Sequence, residues 1–190
     1  MLRTLTNTPH HPATTLSQRL AWVLAFIVLT ALSSRVSIPL EPVPFTLQVL
    51  VVLLSGLVLG ARDGALSQLG YVGLIALGLP LDARGLGSAA LFGPTGGFLM
   101  GFIISAGLVG WLAERGAQRL AWRWLAGLAG VAIIYLFGVL HLAAYADLTL
   151  ERAWELGAQP FVLLDVVKAL LAAGLTETLR AFLSQSRTKG

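Results

Sequence analysis

Six stretches nearly free of charge, each about the length of a bilayer crossing, decide what this chain can fold into. They run from about Leu20 to Val36, Pro44 to Ala61, Gly64 to Leu81, Phe98 to Ala113, Trp124 to Ala146 and Pro160 to Leu183. A helix needs roughly 17–25 mostly apolar residues to cross a hydrocarbon core. Of the 190 residues 56% are hydrophobic and 12% charged, with a mean hydropathy of +0.81. An average soluble domain has roughly a quarter of its residues charged. A water-soluble fold of this size leaves too much surface exposed to hide so much hydrocarbon. The fold class expected is therefore all-α, an integral membrane bundle of six transmembrane helices spanning 19–184, between polar tails at 1–18 and 185–190.

Six crossings put both termini on one side, and the basic residues choose that side. Arg3, Arg19, Arg62, Arg115, Arg119, Arg123, Arg180, Arg187 and Lys189 fall in the tails and the two tight connections. Only Arg35, Arg84 and Arg152 fall in the three opposite loops. Excess Lys and Arg mark the cytoplasmic side, so both termini are expected in the cytoplasm of a multi-pass protein of the cytoplasmic (inner) cell membrane. The first 18 residues lack a long apolar core and read as a tail, not a cleaved signal peptide. The basic pI of 10.1 does not indicate nucleic acid, because the charges are scattered and form no patch.

In that topology the sixth span enters from the outside, carrying "FVLLDVVKAL". Asp165 and Lys168 stand three residues apart, on one helix face. An ionised side chain at bilayer depth costs a few kcal/mol or more and by default marks a functional site. The proline-rich "SIPLEPVPF" and the glycine-rich segment after Leu81 lie on the same outer side. Four further polar side chains on the spans are candidates: Thr46 and Gln48 on the first turn of the second, and Gln68 and Tyr71, three residues apart, on the third. Arg84 reaches in from the loop, either to a guest carboxylate or to water. His141 reads as structural, and His10 and His11 have no third partner at metal-ligand spacing.

Other signals are negative or bland. With no cysteine, disulfides and thiolate chemistry are excluded. No nucleophile elbow, zinc-protease motif or Walker loop occurs, so any uphill transport draws ATP hydrolysis from another subunit. The spaced glycines Gly56, Gly60 and Gly64, and Gly97 and Gly101, read as packing faces inside the bundle. Ala21 and Ala25 in "AWVLA" form a weaker face of the same kind.

The segments "PVPFTLQVLVVLLSGLVLGARDGALSQLGYVGL", "GLP", "GPTGGFLMGF" and "LLDVVKALLA", in this order and spacing, resemble the BioY family over about Ser37 to Ala173. BioY proteins are biotin-binding substrate subunits (S components) of energy-coupling factor (ECF) transporters. The resemblance implies six membrane helices whose outer loops close over one vitamin, with no cofactor and no catalysis. It also implies partners: a transmembrane coupling subunit and ATPase subunits, met through an alanine-spaced face that Ala21 and Ala25 match in a single step. Thr46, Gln48, Asp165 and Lys168 carry over as biotin-binding residues; Tyr71 and Arg84 rest on position alone. Two orientations remain open, with either the ureido ring or the carboxylate of biotin on the Asp165–Lys168 pair. Use of a dedicated coupling module, and self-association, are equally open. Competing readings are an S component for another small nutrient, an intramembrane hydrolase lacking a visible nucleophile, and a structural subunit.

Overall fold

A computed structural model describes residues 15–116 and 119–188, with side chains as far as residue 182. The tail through residue 14, with Arg3, His10 and His11, lies outside the described residues, as does Lys189. Seven helices occur among the described residues: α1 (Leu16–Arg35), α2 (Gln48–Ala76), α3 (Ala89–Phe92), α4 (Gly96–Arg115), α5 (Leu120–Ala146), α6 (Leu150–Gly157) and α7 (Val162–Thr188). A two-stranded antiparallel ribbon, β1 (Ser37–Ile38) with β2 (Phe45–Thr46), pairs Ser37 with Thr46 and Ile38 with Phe45. The protein is an all-α membrane bundle. Helices α1, α2, α4 and α5 are each long and apolar enough to cross a bilayer, and α6 with α7, bent by 57°, passes as a fifth span.

Helix α2 contains a break where the sequence suggests a turn, but not at the expected residues. The limits of the second and third charge-poor runs place the turn between Ala61 and Gly64, in "ARDG". Instead those residues are helical and the break is Gly60, at φ 82°, ψ −178°. That conformation is essentially confined to glycine. The Ala61 N–H it releases donates to Glu114 Oε1 of α4 at 2.8 Å, a carboxylate at a new helix N-terminus. The arms on either side of Gly60 double back on each other: Gln68 Nε2 donates to Ser55 Oγ at 3.2 Å. A Cβ at Gly64 would stand 2.9 Å from the Gly56 Cα. Gly56 and Gly64 thus serve close packing, as expected, whereas Gly60 is the break itself and belongs to no helix face. Gly56 lets α2 reach α4, where a Cβ would be 2.5 Å from the Ala106 carbonyl oxygen.

The centre of the bundle is α2, α4 and α5, with Leu53, Leu57, Ile75, Val109, Ile134 and Leu142 almost wholly buried. Helix α1 lies against α2 through Phe26 and through Thr30, whose hydroxyl shares Gln68. At its N-terminal end Arg19 grips Asp63 with two N–H donors, at 2.9 and 2.7 Å. Ala21 and Ala25 lie on the opposite face and are exposed. Between the fifth and sixth charge-poor runs the segment "DLTLERAWELGAQ" contains α6, capped by the Thr149 hydroxyl on the Arg152 N–H. Its missed signal is apolar spacing: Leu150, Ala153, Trp154 and Gly157 recur at helical intervals.

Candidate functional site

The site begins with a helix-face pair. Asp165 and Lys168 occupy the first two turns of α7, and their i, i+3 spacing brings Lys168 Nζ to 2.6 Å from Asp165 Oδ1. Both are buried, at 2% and 5% exposure. Two elements distant in sequence close around them. The Tyr135 hydroxyl, from α5, donates to Asp165 Oδ2 at 2.6 Å. From the β2 side, Lys168 Nζ donates to the Thr46 carbonyl oxygen at 2.7 Å and sits 3.9 Å over the Phe45 ring. An ammonium has three donor hydrogens and a carboxylate about four acceptor positions. Two lysine hydrogens and two carboxylate positions are used in these bonds, so the pair keeps one donor and spare acceptor capacity.

That residual capacity faces a cavity. Its walls include Phe98, Leu99, Phe102, Ile134 and Phe161, its polar points are Thr46, Gln48, Asp165 and Lys168, and Asp82 and Arg84 lie at the loop side. Its volume is about 60 Å³, several times the ~10–15 Å³ that admits one water. Thr46 is not on the first turn of α2, as expected, but on β2. Its hydroxyl accepts the Gln48 N–H at 3.2 Å, holding the extended strand at the start of the helix. Gln48 itself is buried, and its Nε2 donates to Tyr71 Oη at 2.6 Å.

Tyr71 is fully buried behind Gln48, and its hydroxyl donates to the Leu81 carbonyl oxygen at 3.1 Å. It does not line the cavity; it fixes Gln48, which does. Arg84 does line it, but its guanidinium is engaged. Nη2 donates to Glu41 Oε2 and to the Pro42 carbonyl oxygen, both at 2.8 Å. Arg84 therefore clasps the proline-rich loop to the glycine-rich loop. The second loop is braced by Asp82, which accepts the N–H groups of Arg84 at 3.0 Å and Gly87 at 2.8 Å. His141 Nε2 meets the Gly93 carbonyl oxygen at 3.0 Å, tying α5 to the turn before α4. Tyr135 and Phe45 were not singled out from the sequence. Among the described residues no group of three His, Cys, Asp or Glu side chains is placed to hold a metal.

Fold and site define a multi-pass membrane protein with a small, hydrocarbon-walled cavity lined by a buried ion pair. A family model of the BioY family matches residues 6–185, and the chain belongs to that family. It is 46% identical over 149 residues to the biotin transporter BioY of Thermotoga maritima, covering 78% of this chain and 87% of that one. The probable biotin transporter BioY of Pyrococcus horikoshii is 39% identical over 165 residues, covering 86% and 97%. The fold is shared with the crystal structure of the S component for biotin from an ECF-type ABC transporter. The TM-score is 0.82 at 24% identity, over 89% of this chain and 95% of that one.

Proposed function

We propose that this protein is a biotin-binding S component: it takes up biotin across the membrane and is a transport subunit, not an enzyme. The carrying observation is the Asp165–Lys168 pair with its hydrogen-bonding capacity turned into the cavity, in a chain of the BioY family. A buried ion pair stabilises a fold poorly compared with apolar residues, whereas a ureido ring, with two N–H donors and one carbonyl, matches an adjacent acceptor and donor. The thiolane ring and valeryl chain suit the phenylalanine and leucine walls. With the ureido ring on α7, the biotin carboxylate reaches the loop side, where it competes with Glu41 for Arg84.

The reading extends to topology and assembly. Counting the arms of α2 as two crossings, and α6 with α7 as one, gives six spans with both termini in the cytoplasm. The hydrogen bonds between the arms support this count. The first arm, residues 48–59, is only about 18 Å long at 1.5 Å per residue, short of a ~30 Å hydrocarbon core. Extended β2 completes it, and non-helical backbone at such depth is tolerated where protein buries it or it lines a cavity. The exposed face with Ala21 and Ala25 is the docking face for a transmembrane coupling subunit energised by separate ATPases. Domain limits follow: tails at 1–18 and 185–190 flank the membrane unit.

Binding of labelled biotin to purified protein, in competition with unlabelled biotin and other vitamins, tests the function. Displacement by biotin alone is expected. No binding of labelled biotin by folded protein, with saturable binding of a different labelled vitamin, would replace the substrate. Biotin methyl ester tests the orientation: with the carboxylate at Arg84 a modest loss of affinity is expected that Arg84→Gln abolishes, and a large loss that Arg84→Gln leaves unchanged places it on Lys168.

A further inference from the structure

A second concavity lies on the side of the bundle, between α5, α6 and α7. It is about 640 Å³, walled by Leu128, Ala132, Leu136, Leu140, Val162 and Val166, and ends under Trp154 and Glu151 of α6. Leu128 to Leu140 is about 18 Å of helix at 1.5 Å per residue, close to the ~15 Å of one leaflet of a ~30 Å hydrocarbon core. The groove therefore has the length and the walls of a single acyl-chain slot. Its end at α6 is chemically different. Helix α6 turns by 57° from the axis of α7. It presents Leu150 and Trp154 to the groove and exposes Glu151, Arg152 and Glu155. That division of faces, with a tryptophan, is the pattern of a helix lying in the headgroup layer. Glu151 has no ion-pair partner among the described residues, whereas Arg152 beside it pairs with Glu155 at 2.6 Å.

The groove also shares a wall with the ligand cavity. Tyr135 lines both; its ring meets Trp154 edge-on at 6.0 Å between centroids, and its hydroxyl holds Asp165. We propose that this groove binds one acyl chain of a phospholipid with a primary-ammonium headgroup, the ammonium on Glu151, and that the bound chain backs Tyr135 against Asp165. The slot supplies the length, Glu151 the charge complement, and Tyr135 the connection. The coupling to affinity rests on the biotin reading; the lipid site does not.

Tryptophan fluorescence separates the two. The chain has 5 tryptophans. One variant keeps only Trp154, the other four being phenylalanine; a reference keeps only Trp111, exposed on α4. Each is placed in vesicles of phosphatidylcholine with added chain-brominated phosphatidylethanolamine or phosphatidylglycerol. Trp154 is expected to be quenched at about five-fold lower content of the ethanolamine lipid than of the glycerol lipid, and Trp111 equally by both. Glu151→Gln is expected to remove the preference, and Ala132→Phe, which fills the slot, to relieve the quenching of Trp154 alone. Quenching of Trp154 that follows lipid content without headgroup preference, as for Trp111, overturns the site. So does an unquenched Trp154, including one shielded by self-association or a partner helix. In a second measurement, wild-type protein is expected to bind biotin about five-fold more tightly in ethanolamine than in glycerol lipid, the low end of typical coupling between sites. A headgroup preference with equal biotin affinity overturns the coupling through Tyr135. A headgroup preference with no biotin binding in any lipid overturns the biotin reading and leaves the lipid site standing.

Discussion

Replacing Gly60 by alanine is expected to destabilise the protein strongly, because it strains the backbone at the break in α2. At φ 82°, ψ −178° a non-glycine residue pays about 1–3 kcal/mol in backbone strain. The added Cβ also runs into Glu114 Oε1, which accepts the Ala61 N–H. Loss of a charge-assisted hydrogen bond costs about 1.5–3 kcal/mol. Together these give about 2.5–6 kcal/mol, a large part of the ~5–15 kcal/mol by which folded proteins are stable. Gly73, on the second arm, is the control: a Cβ there meets nothing within 4 Å. Gly73→Ala is expected to raise stability by about 0.4–1 kcal/mol through the unfolded chain. Unfolding in detergent, followed for the two variants and for Glu114→Gln, gives the order Gly73→Ala, wild type, Glu114→Gln, Gly60→Ala from most to least stable. A Gly60→Ala protein as stable as Gly73→Ala would mean that α2 does not turn at Gly60, and the six-crossing count would fail with it.

Because the chain has no cysteine, single cysteines report topology directly. In intact cells Leu40→Cys is expected to react with an impermeant maleimide, and Arg62→Cys only after permeabilisation. Gln48→Ala is expected to weaken biotin binding about five-fold or more, as loss of a neutral hydrogen bond of ~1 kcal/mol. Tyr71→Phe, one layer further back, is expected to change binding less and the unfolding midpoint more. Ala21→Trp and Ala25→Trp are expected to leave biotin affinity unchanged while blocking co-purification with the coupling subunit. Tryptophan variants that still co-purify would move the docking face away from α1.

The parts of the fold legible in the sequence are those written in short-range pattern. Charge-poor runs define membrane helices without any knowledge of their neighbours, and i, i+3 spacing alone brings Asp165 and Lys168 together. The misplaced features depend on distant partners. Residues 61–64 contain the polar residues of a turn, yet Asp63 is held by Arg19 and the strain falls on Gly60, which Glu114 caps from α4. Tyr135 is invisible for the same reason. A tyrosine in an uninterrupted apolar helix shows no preferred face until α7 brings Asp165 to it across 30 positions of chain. Arg84 lines the cavity, but the loop that supplies Glu41 determines what it holds in the structure.

The central claim is that the buried pair on α7 grips biotin. Its most direct test is equilibrium binding of labelled biotin to wild type, Asp165→Ala and Lys168→Ala, each accompanied by an unfolding profile. Removing one partner of a desolvated, hydrogen-bonded charge pair costs about 2–5 kcal/mol, or about thirty-fold and upward in affinity. Tight binding by wild type, lost by at least that factor in both folded variants, is the predicted result. Tight binding unchanged in folded Asp165→Ala and Lys168→Ala would contradict the account and move the site away from α7.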